Sequence, residues 1–375
     1  MFLWLIDPFT MMAMIIAYAA GFIALMFLAS LIAPKVASRL SNRFSLNASM
    51  ALAMLIIIIG GLSAIYIISL IIYNVIGAYI IDLLAGLIIF LLIMNIFMYL
   101  ASPVFINLMY GARQDSSLQE IVNSVASRSG MKPPKAVVVN GPPNAFAYGN
   151  FLTGRYVAVT TGMLKLVDRG ELEAVIGHEL GHHKHRDNAV MLLMGLFPSI
   201  LYYMGIVLIR WGLITSVSRL SSRRNTGGGG LLLVLVGIVA VIFSFIMQIL
   251  ILAFSRLREY YADAHGARVS NPYSMQRSLA KLHLYYKSYE TPRELVANSK
   301  LKTLFIYALT NTYANPYYPV RYFESESVAK IDRQKIEEIK KEKINPVQEI
   351  FSSHPPIPKR LVFLDKIAYG LERVV

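Results

Sequence analysis

From Met50 to Ala101 the chain carries one charged side chain, Asp82, in an otherwise almost unbroken apolar run. About 20 apolar residues in a helix cross ~30 Å of hydrocarbon, so this run is long enough for two crossings. It divides near Tyr73 and Asn74, where a very short turn is expected. Three more stretches reach spanning length: Met11–Ala33, Ala189–Ile209 with Pro198 as an expected kink, and Leu231–Phe254. The first is too long for a signal-peptide core and follows no basic stretch, so it reads as an anchor. Hydrophobic residues make up 56% of the chain and charged residues 15%. A water-soluble globule with that balance would expose large apolar patches.

The charges are unevenly placed. Residues 1–101 hold five (Asp7, Lys35, Arg39, Arg43 and Asp82), whereas residues 255–375 hold 20 bases and 13 acids, an ordinary soluble balance. The expected organisation is a membrane region with three spans over 1–101, a polar segment over 102–188, a helical membrane hairpin over 189–254 and a water-exposed region over 255–375. Asp82 lies close enough to the turn to reach the interface. Four glycines at 227–230 read as a loop, and the Lys- and Glu-rich stretch 324–343 as a solvated helix. With no cysteine, disulfides, thiolate metal sites and a catalytic thiol are excluded. The net charge of +14 comes with no nucleic-acid recognition module, so the expected partner of the bases is the lipid bilayer and not nucleic acid.

Chemistry concentrates at His178-Glu179-Leu180-Gly181-His182. Residues i and i+4 share a helix face, so both imidazoles can point at one ion while Glu179 reaches a water beside it. Zinc suits such donors because it keeps a fourth position open and acidifies the water held there. Asp168 and Glu171 have capping-box spacing at the start of this helix. Leu172, Val175, Ile176 and Leu180 form its expected buried stripe, and His183 and His185 are expected at the surface. The bland alternative is a pair of core histidines. Glu259 and Asp263, also i and i+4, emerge directly from the last span. Glu259 can supply a third ligand and Asp263 can orient an imidazole, the alternative being ion pairs with Arg256 or Arg258. Lys135–Asn140 and Arg155–Thr160 are expected to be short strands.

These motifs occur together in one order: Asn144-Ala145-Phe146-Ala147-Tyr148-Gly149, then Val157 through Gly162, Gly177 through His182, Ser255 through Asp263, and His354-Pro355-Pro356. In that order they resemble the HtpX family of membrane zinc metalloproteases, relatives of the CAAX prenyl endopeptidases. The resemblance covers most of residues 102–375. It implies a mainly α polytopic membrane protein with an α+β gluzincin-like zinc metallopeptidase domain. It further implies one Zn2+ per chain on His178, His182 and Glu259, with Glu179 as catalytic acid/base and Asp263 in support. By the same likeness His354 stabilises the oxyanion, and Asn144, Ala145, Phe146 and Ala147 form an edge to which an extended polypeptide substrate adds as a strand. The alternatives are a structural histidine and an ordinary hairpin. Arg360 falls in the same region and is expected only to support it.

A single ion shared by His178 and Glu259 puts both on one membrane face, so the intervening chain crosses twice. Lys35, Arg39 and Arg43 then favour a cytoplasmic catalytic side of the cell membrane. The arginines at 210–224 would lie on the far side, against that bias, unless the helices overrun the bilayer or penetrate it partly. The expected function is endoproteolysis of membrane or misfolded proteins by metal-activated water. The rivals are an intramembrane protease, a CAAX-type prenyl-protein endopeptidase and a non-catalytic zinc-holding scaffold. The charged flank Glu171–Asp187 speaks against the first.

Overall fold

The computed structural model describes residues 54–68, 70, 79–185, 187–220, 229–287, 331–344, 349 and 352–372. The expected first span Met11–Ala33, the bases Lys35, Arg39 and Arg43, the turn at Tyr73 and Asn74, and the arginine- and glycine-rich connection 221–228 lie outside them. Asp82 falls inside a helix, but its side chain is outside the described set.

The membrane part is built from α1 (Met54–Ile68), α2 (Tyr79–Met109), α6 (Asp187–Leu220) and α7 (Gly229–Val269). Among the described residues three segments are long and apolar enough to cross a bilayer: Ile88–Met109, Ala189–Ser216 and Gly230–Val269. Helices α2, α6 and α7 overrun the spans expected from hydropathy. Helix α2 continues through Pro103 to Met109, and α7 runs 41 residues without a break, carrying Glu259 and Asp263 beyond the apolar stretch. Hydropathy marks where the apolar residues stop, whereas a helix ends only where its hydrogen bonds do.

Helices α6 and α7 pack closely because glycines face each other at two levels. A Cβ on Gly205 would lie 2.7 Å from the Gly237 carbonyl, and one on Gly212 2.6 Å from the Gly230 carbonyl. In lipid, where apolar burial gives little drive, such small-residue contacts let backbones approach and dispersion hold them. Ile57, Ala64 and Ile68 of α1 join Phe197 and Leu201 of α6 in the same buried cluster.

The polar segment 102–188 folds into a four-stranded sheet with helices against it. The strands are β1 (Arg113–Gln114), β2 (Lys135–Val139), β3 (Ala145–Asn150) and β4 (Gly154–Thr160), in the order β1-β2-β4-β3. Strands β2 and β4 were legible as valine-rich runs. They pair in parallel, Val137 opposite Ala158. Residues 145–150 form a strand of their own, antiparallel to β4 with Phe146 opposite Ala158, and β3 is the terminal strand on that side. Helix α3 (Ser116–Arg128), capped by Asp115, packs Val122 and Val125 against Val157 and Val159, and α4 (Thr161–Leu166) follows β4 directly.

Helix α5 (Arg169–Lys184) carries the histidine motif and begins with the expected capping box, Asp168 and Glu171 each accepting from the other's backbone N–H. The expected stripe Leu172, Val175, Ile176 and Leu180 is buried against α3 and the sheet. The helix is nevertheless enclosed on its other faces too, by α7 and by α8 (Pro272–Lys287). Glu171, fully buried, is neutralised from α8 by Lys281 Nζ at 2.6 Å and Arg277 Nη2 at 2.9 Å. Removing one partner of a buried pair leaves an uncompensated charge. Lys281→Met should therefore cost about 3 kcal/mol, toward the low end of such losses because Arg277 remains. Thermal unfolding in detergent measures it, and Glu171→Gln in the same chain should recover much of the loss.

Against α8 pack α9 (Arg333–Lys340) and α10 (Ile357–Glu372), with Ile336, Ile339, Leu361 and Leu364 in their shared core. The stretch read as a solvated helix is thus amphipathic in its described part.

Candidate active site

The helix-on-helix seam between α5 and α7 decides the geometry. Gly177 and Gly181 lie on one face of α5, Ala262 and Gly266 on the facing side of α7. A Cβ on Gly266 would sit 2.6 Å from the Ala174 carbonyl and 3.0 Å from His178 N, and one on Gly181 3.0 Å from Ala262 Cα. Backbones this close bring the next residues on each helix, His178 and His182 on α5 and Glu259 and Asp263 on α7, into one buried cluster.

In that cluster His178 Nε2 and His182 Nε2 are 3.2 Å apart. Each is 3.5 Å from a different oxygen of Glu259. One potential donor atom from each of the three residues lies within 4.8 Å of the others. The outer nitrogens face carboxylates: His178 Nδ1 is 2.9 Å from Asp263, and His182 Nδ1 is 2.7 Å from Asp187. A carboxylate at Nδ1 keeps the proton there and leaves a lone pair on Nε2. Two such lone pairs and a carboxylate then face one another with little solvent between them, which is repulsive unless a cation sits among them. Glu259 Oε2 is buried and makes no aligned hydrogen bond, though His354 Nδ1 approaches to 2.8 Å. This donor set of two nitrogens and a carboxylate fits a divalent metal such as zinc. Without a cation the same field holds a proton instead: burial alone would lower the pKa of His178, but Asp263 and Glu259 outweigh it and carry it up to about 10.

The remaining candidates surround this cluster. Glu179 is buried beside it and lines a cleft of about 220 Å³. The opposite wall is Asn144, Ala145, Phe146 and Ala147 on β3, continued by Tyr99, Ser102 and Ile106 of α2. His354 stands at the cleft with about a third of its side chain exposed. Arg360, fully engaged, clasps Asp263 with Nε and Nη2 at 2.7 and 2.6 Å.

Two corrections follow. His183 is not at the surface: it is buried, its Nε2 donates to the Tyr156 carbonyl at 2.8 Å, and burial pushes its pKa down to about 4. It therefore stays neutral and ties α5 to β4. His185 is half-buried, edge-on to Tyr261 with ring centroids 3.9 Å apart. The ion pairs once weighed for Glu259 and Asp263 are also redistributed, since Arg258 turns to Asp187 (2.9 Å) and Arg256 to the carbonyls of Glu349 and Ser352.

Asp187 is the residue that sequence reasoning missed. It opens α6, is 3% exposed, and receives both His182 Nδ1 and Arg258 Nε. Burial would raise its pKa, yet Arg258 and His182 hold it below the usual carboxylate value. Its place five residues after His182, at a helix start, was the available signal. Because such outer-shell carboxylates fix imidazole orientation, Asp187→Asn should weaken metal affinity about 10- to 100-fold, measured by competition with a zinc chelator, and should also lower thermal stability because Arg258, 1% exposed, loses its counter-charge.

The sequence belongs among known proteins as follows. Residues 112–368 match Peptidase family M48. A Protease HtpX homolog of Pyrobaculum aerophilum is 51% identical over 353 residues, covering 94% of this chain and 96% of that protein. One from Archaeoglobus fulgidus is 51% identical over 367 residues, covering 98% and 99%. Among solved structures, the crystal structure of S. mikatae Ste24p aligns with 85% of this chain and 67% of that one, at a TM-score of 0.47 and 17% identity.

Proposed function

The chain belongs to peptidase family M48 and is a membrane-bound metalloprotease, and on that premise we propose that it is a one-zinc endopeptidase cutting membrane and misfolded proteins at the cytoplasmic face of the cell membrane. The observation that carries this reading is the pair of Nε2 atoms, 3.2 Å apart and facing Glu259, with Glu179 next to them on an open cleft. His178, His182 and Glu259 would hold the ion. When bound, zinc supplies Lewis acidity, lowering the pKa of water and polarising a carbonyl.

The protein's own residues do the rest. Glu179, adjacent to His178 but aimed into the cleft, accepts the proton of the attacking water and returns it to the leaving amine. Its burial keeps bulk water from competing for that proton. Asp263 and Asp187 hold the two imidazoles in the Nδ1–H tautomer, Arg360 and Arg258 steady those carboxylates in turn, and His354 at the cleft is placed to donate to the developing oxyanion. Strand β3, terminal in the sheet and forming the cleft wall, offers backbone N–H and C=O groups to an extended polypeptide, a mode tolerant of sequence.

The test is casein and membrane-protein cleavage by the purified chain with its metal content measured alongside. Chelation should abolish cleavage and stoichiometric zinc should restore it. Cleavage that survives complete removal of metal would overturn the proposal.

A further inference from the structure

The turn joining β3 to β4 carries two large apolar side chains that nothing in the peptidase reading uses. Phe151 is 85% exposed and Leu152 69%. The turn is not loosely attached. Asn150, 4% exposed, donates from Nδ2 to the carbonyls of Tyr99 at 2.9 Å and Leu100 at 3.0 Å on α2. The Tyr99 carbonyl, which Pro103 four residues on cannot bond for want of an N–H, accepts from Asn150 and from the Ser102 hydroxyl at 3.0 Å. The proline thus creates a docking point for the hairpin within the apolar span.

That docking point lies inside the exposed apolar band of α2. Ile93, Ile96 and Phe97 are exposed before it, Val104, Phe105 and Leu108 after it. At 1.5 Å per residue, Leu108 stands about 12 Å beyond Leu100 along the axis. The hairpin tip is therefore flanked along the helix by apolar surface on both sides.

Entry into lipid favours a tip whose backbone polar groups are bonded within the protein, and here the Leu152 and Thr153 N–H groups and the Thr153 carbonyl are. Asn150 Oδ1 accepts from Leu152 N (2.9 Å), Thr153 N (2.8 Å) and the Thr153 hydroxyl (3.0 Å), while the Tyr156 hydroxyl donates to the Thr153 carbonyl. Arg155, exposed on the adjoining strand, has the length to reach headgroups from there.

We propose that Phe151 and Leu152 are inserted among the acyl chains of the bilayer, so that β3 ends at lipid level after passing along the cleft at the metal site. A substrate segment leaving the membrane along α2 meets the Asn150 end of the edge strand first. This last consequence rests on the peptidase reading; the insertion does not.

The chain has no cysteine, so Leu152→Cys accepts a single NBD label in the full-length protein reconstituted into phosphatidylcholine vesicles. The expected result is blue-shifted emission, quenched by doxyl-labelled lipid and insensitive to iodide. Ser124→Cys, exposed on α3 away from the hairpin, should show the reverse. Iodide quenching at position 152 would overturn the proposal, and so would a blue shift without doxyl quenching, which would mean a protein contact. Neither readout requires activity, so the labelling stands or falls apart from the peptidase reading. Leu152→Asp should lower cleavage of a bilayer-embedded substrate about 10-fold and leave casein cleavage in detergent within about twofold. Equal losses on both substrates would assign the tip to folding and overturn the insertion.

Discussion

Glu179→Gln should retain one zinc per chain and lose about 1,000-fold in casein cleavage, the scale of a positioned general acid–base. Gln has nearly the same shape and lacks only the ability to take a proton. Glu179 stands outside the cluster formed by His178, His182 and Glu259, so the metal content should not change. Metal analysis and initial rates on one preparation separate the outcomes. Retained zinc with lost cleavage fits the peptidase. Unchanged cleavage would transfer the chemistry to another group, and unchanged cellular function with no cleavage would favour a zinc-holding scaffold.

Gly266→Ala should have the next largest effect, by a different route. The new methyl would meet the Ala174 carbonyl at 2.6 Å and His178 N at 3.0 Å, both backbone atoms of α5 that cannot swing aside. Relief requires α5 and α7 to part, and overpacking of this kind costs about 1–3 kcal/mol. The separation also draws Glu259 away from the two imidazoles, so zinc affinity and cleavage should fall together, unlike in Glu179→Gln. Gly60→Ala is the control, since a Cβ there meets nothing within 4 Å. A Gly266→Ala chain with native zinc content and full activity would show that the seam does not set the donor geometry.

What the sequence disclosed was what is local or periodic. The i, i+4 spacing of His178 with His182 and of Glu259 with Asp263 announced two helix faces, and Asp168 with Glu171 announced a helix start. Apolar runs announced membrane helices. Hidden were the consequences of packing between distant segments. Nothing near His183 signals that Tyr156, 27 residues earlier, will accept its proton. Asp187 looked like one more charge in a polar flank until α6 folded back and placed it under His182. Strand β3 was legible only through the family resemblance, as an edge, because Ala145–Asn150 alternates small and aromatic residues without the valines that mark β2 and β4. The seam glycines were visible at Gly177, Gly181 and Gly266, but their meaning needed to know which helix they would face.

The unbroken course of α7 ties the membrane to the metal site mechanically. Thirty residues separate Gly229 from Glu259 along one helix, a lever of about 45 Å at 1.5 Å per residue. Each degree of tilt adopted to match a thinner or thicker bilayer sweeps its far end by roughly 0.8 Å. Coordination tolerates only a few tenths of an ångström, so α5 must swing with that lever, and lipid thickness acts on the orientation of the whole catalytic half before it can stretch any bond to the ion.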